Sequence, residues 1–279
     1  MTNENNPRSA LPFSRGLAWL VQAFTLMRLQ SGRLLLIAVF MQIVLGLTQL
    51  PLIGILVILC VPALSAGVLE AFEVTGQGGR PGLNLLFKPF SSGPRMGQLF
   101  LMGVLVFAVG VASIAVVLSG AEMPDAEMIS RIEQGDLDAI TQIDQESLGK
   151  MVLAFLVGLG ISGTLSYFTI PLLWFGGRKL GPALLQGLKA LFVQWRPFLV
   201  LALGLVATCI PVMVVTGFLI GMASSGGLLS AILMGFIMLL LLAFQVLLYA
   251  TQYCAYRDVF GTNPVQPAGA SGDDGQLVA

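Results

Sequence analysis

The chain has 279 residues, 56% of them hydrophobic and only 10% charged, with a mean hydropathy of +0.90. Soluble domains carry about a quarter charged residues, so a water-soluble core is excluded. The 14 Lys and Arg balance the 14 Asp and Glu, yet the two signs are segregated along the chain, and histidine is absent altogether.

Residues 1–10 are polar and Asn-rich and are expected to be disordered. Leu17, Leu20, Val21, Phe24 and Met27 then recur at helical spacing beside Arg28. That pattern suits an amphipathic helix lying in the headgroup plane. No short apolar region with a small-residue cleavage site precedes residue 34, so the N-terminus is expected to be retained.

Six apolar stretches follow, at about 34–50, 52–72, 99–118, 151–175, 198–220 and 228–253. In hydrocarbon every backbone N–H and C=O must be paired internally, and barrel strands would alternate where these runs are continuous; helices are therefore expected. The longer runs meet the roughly 20 residues needed to cross about 30 Å. The first, of about 17 residues, is the shortest and contains Gln42 and Gln49. Crossing is expected, because two separate apolar lengths otherwise have no purpose. The alternative is a re-entrant hairpin with the second run through the tight link Gln49-Leu50-Pro51.

After the second run, residues 76–82 form a glycine-rich loop, read as a flexible connection because no strand and helix unit surrounds it. Leu83, Leu85, Leu86, Phe87 and Lys88 then open a second interfacial segment, and Leu184, Leu185, Leu188, Leu191 and Phe192, with Lys189 and Trp195, form a third. Residues 121–150 hold eight acids against Arg131 and Lys150, a net charge of −6. Stripes of Met128, Ile129 and Ile132, then Leu137, Ile140, Ile143 and Leu148, predict a short helical hairpin there, with its carboxylates solvated. Residues 261–279 form a Pro, Gly, Ser and Asp tail, expected to be disordered.

Arg8, Arg15, Arg28 and Arg33 precede the first run; Arg80, Lys88 and Arg95 follow the second; Arg178, Lys179, Lys189 and Arg196 follow the fourth; Arg257 follows the sixth. Thus 12 of the 14 bases share one side, and only Arg131 and Lys150 fall on the other. Bases beside membrane spans stay on the cytoplasmic face, which predicts six spans with both termini inside. Such a face suits anionic headgroups, at about 1 kcal/mol per base. Nucleic acid is not an expected partner, because the bases form no compact stripe.

The expected fold is thus all-α, a polytopic membrane helical bundle of six transmembrane helices plus amphipathic interfacial helices over residues 11–260. Its order suggests a threefold pseudo-repeat, each unit an interfacial segment followed by two spans. Pro62 with Gly67 matches Pro171 with Gly176, and Glu73-Val74-Thr75-Gly76 resembles Asp258-Val259-Phe260-Gly261. Compositional coincidence is the alternative, since Pro and Gly are frequent in membrane helices.

Without histidine, the commonest general base and the commonest metal ligand are missing. No nucleophile elbow, phosphate loop, dinucleotide fingerprint or paired-cysteine motif is found, so no catalytic residue, metal or cofactor is expected. Cys60, Cys209 and Cys254, an odd number inside spans, read as small buried side chains. Pro62, Pro171 and Pro211 predict kinks whose freed carbonyls neighbouring helices must satisfy. Gly103, Gly110, Gly158, Gly160, Gly163 and Gly204 predict close helix packing. Trp19, Trp174, Trp195, Tyr253 and Tyr256 read as an aromatic belt at the cytoplasmic interface.

Polar groups at membrane depth are the candidate functional residues, since their burial is costly unless they find partners. Gln245, Tyr249, Gln252 and Tyr256, at i, i+4, i+7 and i+11, share one face of the last span, which is expected to point inward. Arg257 is expected to pair with Glu70 or Glu73 and so tie the last helix to the first unit. A polar seam that specifies helix packing is the preferred reading, and a substrate path the alternative.

The segments Gly16-Leu17-Ala18-Trp19-Leu20, Pro51-Leu52-Ile53-Gly54, Val61-Pro62-Ala63-Leu64-Ser65-Ala66-Gly67 and Tyr256-Arg257-Asp258-Val259-Phe260 resemble the uncharacterised proteobacterial multi-span inner-membrane proteins, over roughly residues 12–261. More distantly they are similar to the membrane-anchor domain found beside some glycerophosphodiester phosphodiesterases. This resemblance implies a multi-pass protein of the bacterial inner (plasma) membrane with no established activity, and it carries over no catalytic residue. The expected function is therefore a non-enzymatic scaffold or lipid-interacting helper, with membrane lipids and a membrane-protein partner. A transporter or channel for a small or lipidic substrate is the alternative, and an intramembrane enzyme using Glu70, Glu73 or Asp258 is the least favoured.

Overall fold

A computed structural model of the chain describes residues 10–119, 130, 145–223 and 227–261. Both terminal segments and the stripes predicted within residues 121–144, Ser130 apart, lie outside the described residues. Among the described residues there are nine α-helices and no strand. They are α1 (Ser14–Leu29), α2 (Ser31–Gly46), α3 (Pro51–Gly76), α4 (Asn84–Phe87), α5 (Pro94–Leu118), α6 (Gln145–Trp174), α7 (Leu180–Val193), α8 (Trp195–Ala223) and α9 (Gly227–Val259). A 3-10 turn, Leu47–Gln49, extends α2, and another, Lys88–Ser91, follows α4.

Among the described residues six segments are long and apolar enough to cross a bilayer: Ser31–Gln49, Ile53–Gly76, Pro94–Leu118, Gly149–Trp174, Trp195–Met222 and Gly227–Val259. The first has 19 residues; at 1.5 Å per residue it reaches about 28 Å, enough for the hydrocarbon thickness. Pro51 and Pro94 open α3 and α5, where a missing N–H costs nothing. Just beyond α3, α6 and α9 stand Gly78, Gly177 and Gly261, with φ of 78°, 59° and 76°. That left-handed backbone turns the chain away from each helix end and is open chiefly to glycine.

The helices group as α1-α2-α3, α4-α5-α6 and α7-α8-α9, and the same relations recur in each group. The second spans α3, α6 and α9 touch one another at the centre. Each short leading helix packs on the second span of the preceding group: α4 on α3, α7 on α6, and α1 on α9, which closes the ring between the chain's two ends. The correspondence is incomplete, since α4 is a single turn where α1 and α7 have 16 and 14 residues. Gly67 lies within α3 whereas Gly176 lies past the end of α6, so the two Pro-Gly pairs are not structural equivalents.

The buried core is concentrated at the basic end of the bundle. There α3 buries Ala63, Leu64, Ala66, Leu69 and Phe72, α6 buries Phe168 to Trp174, and α9 buries most of its last four turns. Towards the other end burial thins out, and α8 buries no described residue beyond Leu201. Lys150, early in α6, stands at that opposite end.

One sequence expectation, the aromatic belt, is corrected here, and the packed faces of α1 and α7, which the sequence reading did not assign, are added to it. In α1, Leu17, Val21 and Phe24 are exposed, while Gly16, Trp19, Leu20, Ala23 and Leu26 form the packed face. In α7, Leu185 and Phe192 are exposed, and Ala183, Gly187 and Ala190 pack. Lipid accepts large apolar side chains as readily as protein does, so small residues mark the helix contacts instead. The predicted aromatic belt is also largely internal. Trp19, Trp174, Tyr253 and Tyr256 are buried and only Trp195 is exposed, because the indole N–H groups of Trp19 and Trp174 find carboxylates inside the bundle.

The predicted small-residue contacts divide. A Cβ on Gly103 would stand 2.0 Å from the Leu59 carbonyl oxygen of α3, and one on Gly204 would lie 3.0 Å from Leu20 of α1. Gly110 and Gly158 make ordinary contacts between α5 and α6, while Gly160 and Gly163 face open space. A Cβ on Gly16 or on Gly67 would likewise collide with backbone, the Pro197 carbonyl of α8 and the Leu86 carbonyl of α4 respectively.

Candidate functional site

The polar face of α9 meets three different helices. Gln42 Nε2 of α2 donates to Gln245 Oε1 at 2.8 Å, and the Tyr249 hydroxyl shares a 3.0 Å hydrogen bond with Ser65 of α3. Gln252 Nε2 donates at 2.7 Å to the Tyr167 carbonyl of α6. That carbonyl is the one orphaned by Pro171, which stands four residues on and has no N–H to return. Pro62 and Pro211 likewise lie inside α3 and α8. Tyr256 is buried and stacks on Phe175, its ring centroid 5.7 Å away.

A Gln252→Leu variant would leave the Tyr167 carbonyl without this donor. We expect a loss of about 1 kcal/mol in detergent-solubilised stability, at the upper part of the range for interhelical hydrogen bonds. In a Pro171→Ala background the helix regains its own N–H donor, so the same substitution is expected to have a smaller effect. Equal effects in the two backgrounds, measured by thermal unfolding, would refute the role assigned to Gln252.

Three carboxylates near the basic ends of α3 and α9 organise the rest. Arg257 Nη2 pairs with Glu73, whose Oε2 also accepts from the Tyr253 hydroxyl at 2.8 Å, while Arg257 Nε donates to that hydroxyl at 3.1 Å. Of the two acids named from sequence, Glu73 is thus the partner of Arg257. Glu70 instead receives Lys88 and, at 2.8 Å, the indole N–H of Trp174. It lies one turn before Glu73 and faces the α4 and α6 side, out of reach of the last helix's base.

Sequence reasoning missed the third cluster. Arg15 of α1 donates Nε to Asp258 Oδ2 at 2.8 Å and Nη2 to Oδ1 at 2.5 Å, and Trp19 Nε1 donates to Oδ2 at 2.8 Å. Asp258 is buried and Trp19 wholly so. Its hydrogen bond to Asp258 raises the Arg15 guanidinium above its ordinary pKa, although burial opposes it. Arg15 therefore stays charged throughout the physiological range. The only sequence signal was i, i+4 spacing of Arg15 and Trp19, which does not by itself name a partner 239 residues away.

Backbone ties repeat the ring. Leu11 N–H, ahead of α1, donates to Gln194 Oε1 beside the start of α8 at 2.8 Å. Leu180 N–H, opening α7, donates to Gln98 Oε1 in the first turns of α5, also at 2.8 Å. Arg33 at the start of α2 reaches the Pro81 carbonyl ahead of α4. In all three places the residues leading into a short helix are held by the basic end of the preceding group's first span.

Interleaved with this polar layer, the aromatic rings form a continuous chain across the bundle. Phe72, Tyr253, Phe175, Tyr256, Phe260, Phe168, Phe198 and Trp19 follow one another with centroid separations between 5.3 and 6.4 Å. Arg95 lies over Trp174 at 5.7 Å. Cys60, Cys209 and Cys254 are free thiols, and among the described residues no three Cys, Asp or Glu converge to hold a metal ion.

The fold and this joint define an all-α, multi-pass membrane protein whose first and last described helices are joined at its basic face. The chain matches no protein-family model, and no curated protein or solved structure is significantly similar to it.

Proposed function

We propose that the protein is a non-catalytic scaffold of the bacterial inner membrane, with both termini in the cytoplasm, that engages phospholipid and holds a membrane-protein partner. The single observation that carries this reading is the closed basic end. Gln245, Tyr249 and Gln252, the groups a substrate path would need, each bond a different helix, and the aromatic chain, which enters α9 at Tyr253, crosses the bundle beyond them towards the basic end. Glu70, where such a path would emerge, is held by Lys88 and Trp174. A transporter requires an opening that this arrangement opposes, whereas a scaffold requires rigidity.

The resemblance to proteobacterial inner-membrane proteins, and more distantly to the anchor domain beside glycerophosphodiester phosphodiesterases, agrees with a membrane-resident helical module. Exposed bases at the same end, among them Arg28, Arg80, Lys179 and Lys189, favour anionic headgroups.

Native mass spectrometry of gently extracted protein is expected to find phospholipid travelling with it. Protein free of lipid that instead conducts a solute into liposomes would overturn the reading in favour of the transporter. For sidedness, Ser92→Cys and Ser130→Cys in a background lacking the three native cysteines are expected to label from opposite faces, Ser92→Cys from the cytoplasm. Labelling of both from one side would overturn the topology.

A further inference from the structure

Between the last turns of α1, the first turns of α2 and the middle of α9 lies an open-sided cavity of about 190 Å³, lined by Phe24, Met27, Arg28, Leu34, Leu35 and Val246 among others. Its inner surface is apolar throughout, so Arg28 lends it only the aliphatic stem. A lining without exposed polar atoms offers water no partner and accepts hydrocarbon.

The cavity's position gives it two chemistries. Ser31 begins the first span and lines the cavity, so hydrocarbon starts at its mouth, while Leu35 and Val246 lie deeper in α2 and α9. Arg28 is exposed at the polar boundary and has no ion pair or hydrogen bond among the described residues. Its neighbours differ: Arg15 is committed to Asp258, and Arg33 reaches the Pro81 carbonyl. A free guanidinium above a dry slot complements a molecule with an anionic head and a hydrocarbon tail.

We infer that the α1–α2–α9 cavity is a binding site for one anionic phospholipid, an acyl chain seated against Phe24, Leu35 and Val246 and the phosphate paired with Arg28. Because α1 closes the ring onto α9, this lipid would sit beside the seam between the first and last groups. The inference rests on the lipid-engaging reading above and gives it a location and a headgroup class.

The test uses the full chain in mild detergent, mixed with phosphatidylglycerol or phosphatidylcholine of equal chain length and read by native mass spectrometry. Wild type is expected to retain one lipid preferentially, with phosphatidylglycerol favoured. Arg28→Gln is expected to weaken phosphatidylglycerol about fivefold and phosphatidylcholine less, because the choline cation offsets the same phosphate. Ala243→Leu, which adds volume inside the cavity, is expected to weaken both lipids. Arg80→Gln, an exposed base elsewhere on the same face, is expected to change neither.

Unchanged lipid retention in Arg28→Gln and Ala243→Leu, at wild-type thermal midpoints, would overturn this site while leaving the lipid-engaging reading intact. Equal weakening by Arg28→Gln and Arg80→Gln would overturn it in favour of a diffuse basic surface. Should Ala243→Leu fail to fold, the comparison of Arg28→Gln with Arg80→Gln decides alone. Wild-type protein retaining neither lipid would sink the site and the broader reading together.

Discussion

Replacing Asp258 by Ala is expected to lower the stability of the detergent-solubilised protein by about 3 kcal/mol, the lower end of the cost of breaking a buried ion pair. The lower end applies because the Arg15 side chain is 33% exposed, so water takes over part of the lost interaction. Trp19 has no such recourse. It is fully buried, and its indole N–H would lose the Asp258 acceptor in a region from which water is excluded. Asp258→Asn keeps an oxygen for Trp19 and is expected to cost less than Asp258→Ala. Because α1 packs on α8 and α9, its release would open the ring at the junction of the chain's two ends. Thermal unfolding followed by size-exclusion chromatography reads the effect. A midpoint for Asp258→Ala within error of wild type would remove the Asp258 joint from any account of the fold.

Gly103→Ala, the addition of one methyl group, is expected to cost about 2–3 kcal/mol, towards the top of the range for overpacking. The new carbon would stand 2.0 Å from the Leu59 carbonyl oxygen, and backbone cannot rotate away as a side-chain end can. Helix α5, which buries Leu99 and Met102 in the bundle, would have to move off α3. Gly160→Ala and Gly163→Ala serve as controls. Nothing lies within 4 Å of the position a methyl group would take at either, so those substitutions are expected to be neutral or to gain up to about 1 kcal/mol of helix propensity. The three glycines look alike in sequence, so equal midpoints for Gly103→Ala and Gly160→Ala would show that the close approach of α5 and α3 is not what holds them together.

Much of the architecture follows from residue order alone. An apolar run of about 20 residues in a chain this poor in charge has no soluble alternative, and the six spans lie within a few residues of the apolar stretches. The inward face of α9 was legible for a related reason: Gln245, Tyr249 and Gln252 are too costly to leave in lipid, and their spacing puts them on one side of a helix. The pairing of Arg257 with Glu73 was legible only to within one turn, because Glu70 sits at the same depth and only the rotation of α3 separates them.

The packed faces of α1 and α7 were not legible. In water an apolar stripe marks the side that turns inward; in a membrane both sides of a helix can be apolar, and the large residues of that stripe face lipid. Nor could order along the chain reveal that Trp19 and Trp174 are internal donors, since an interfacial indole and a buried one are the same residue at the same depth.

What must be helical, where the spans lie and which ends carry the bases can all be read from residue order, because they follow from the solvation of backbone and charge. Which helices touch, that α1 returns to α9 and that Asp258 receives Arg15 and Trp19 emerge only from the packed bundle. Solvation acts on each segment separately, whereas contact between greasy helices depends on shape and on hydrogen-bond partners far away in the chain.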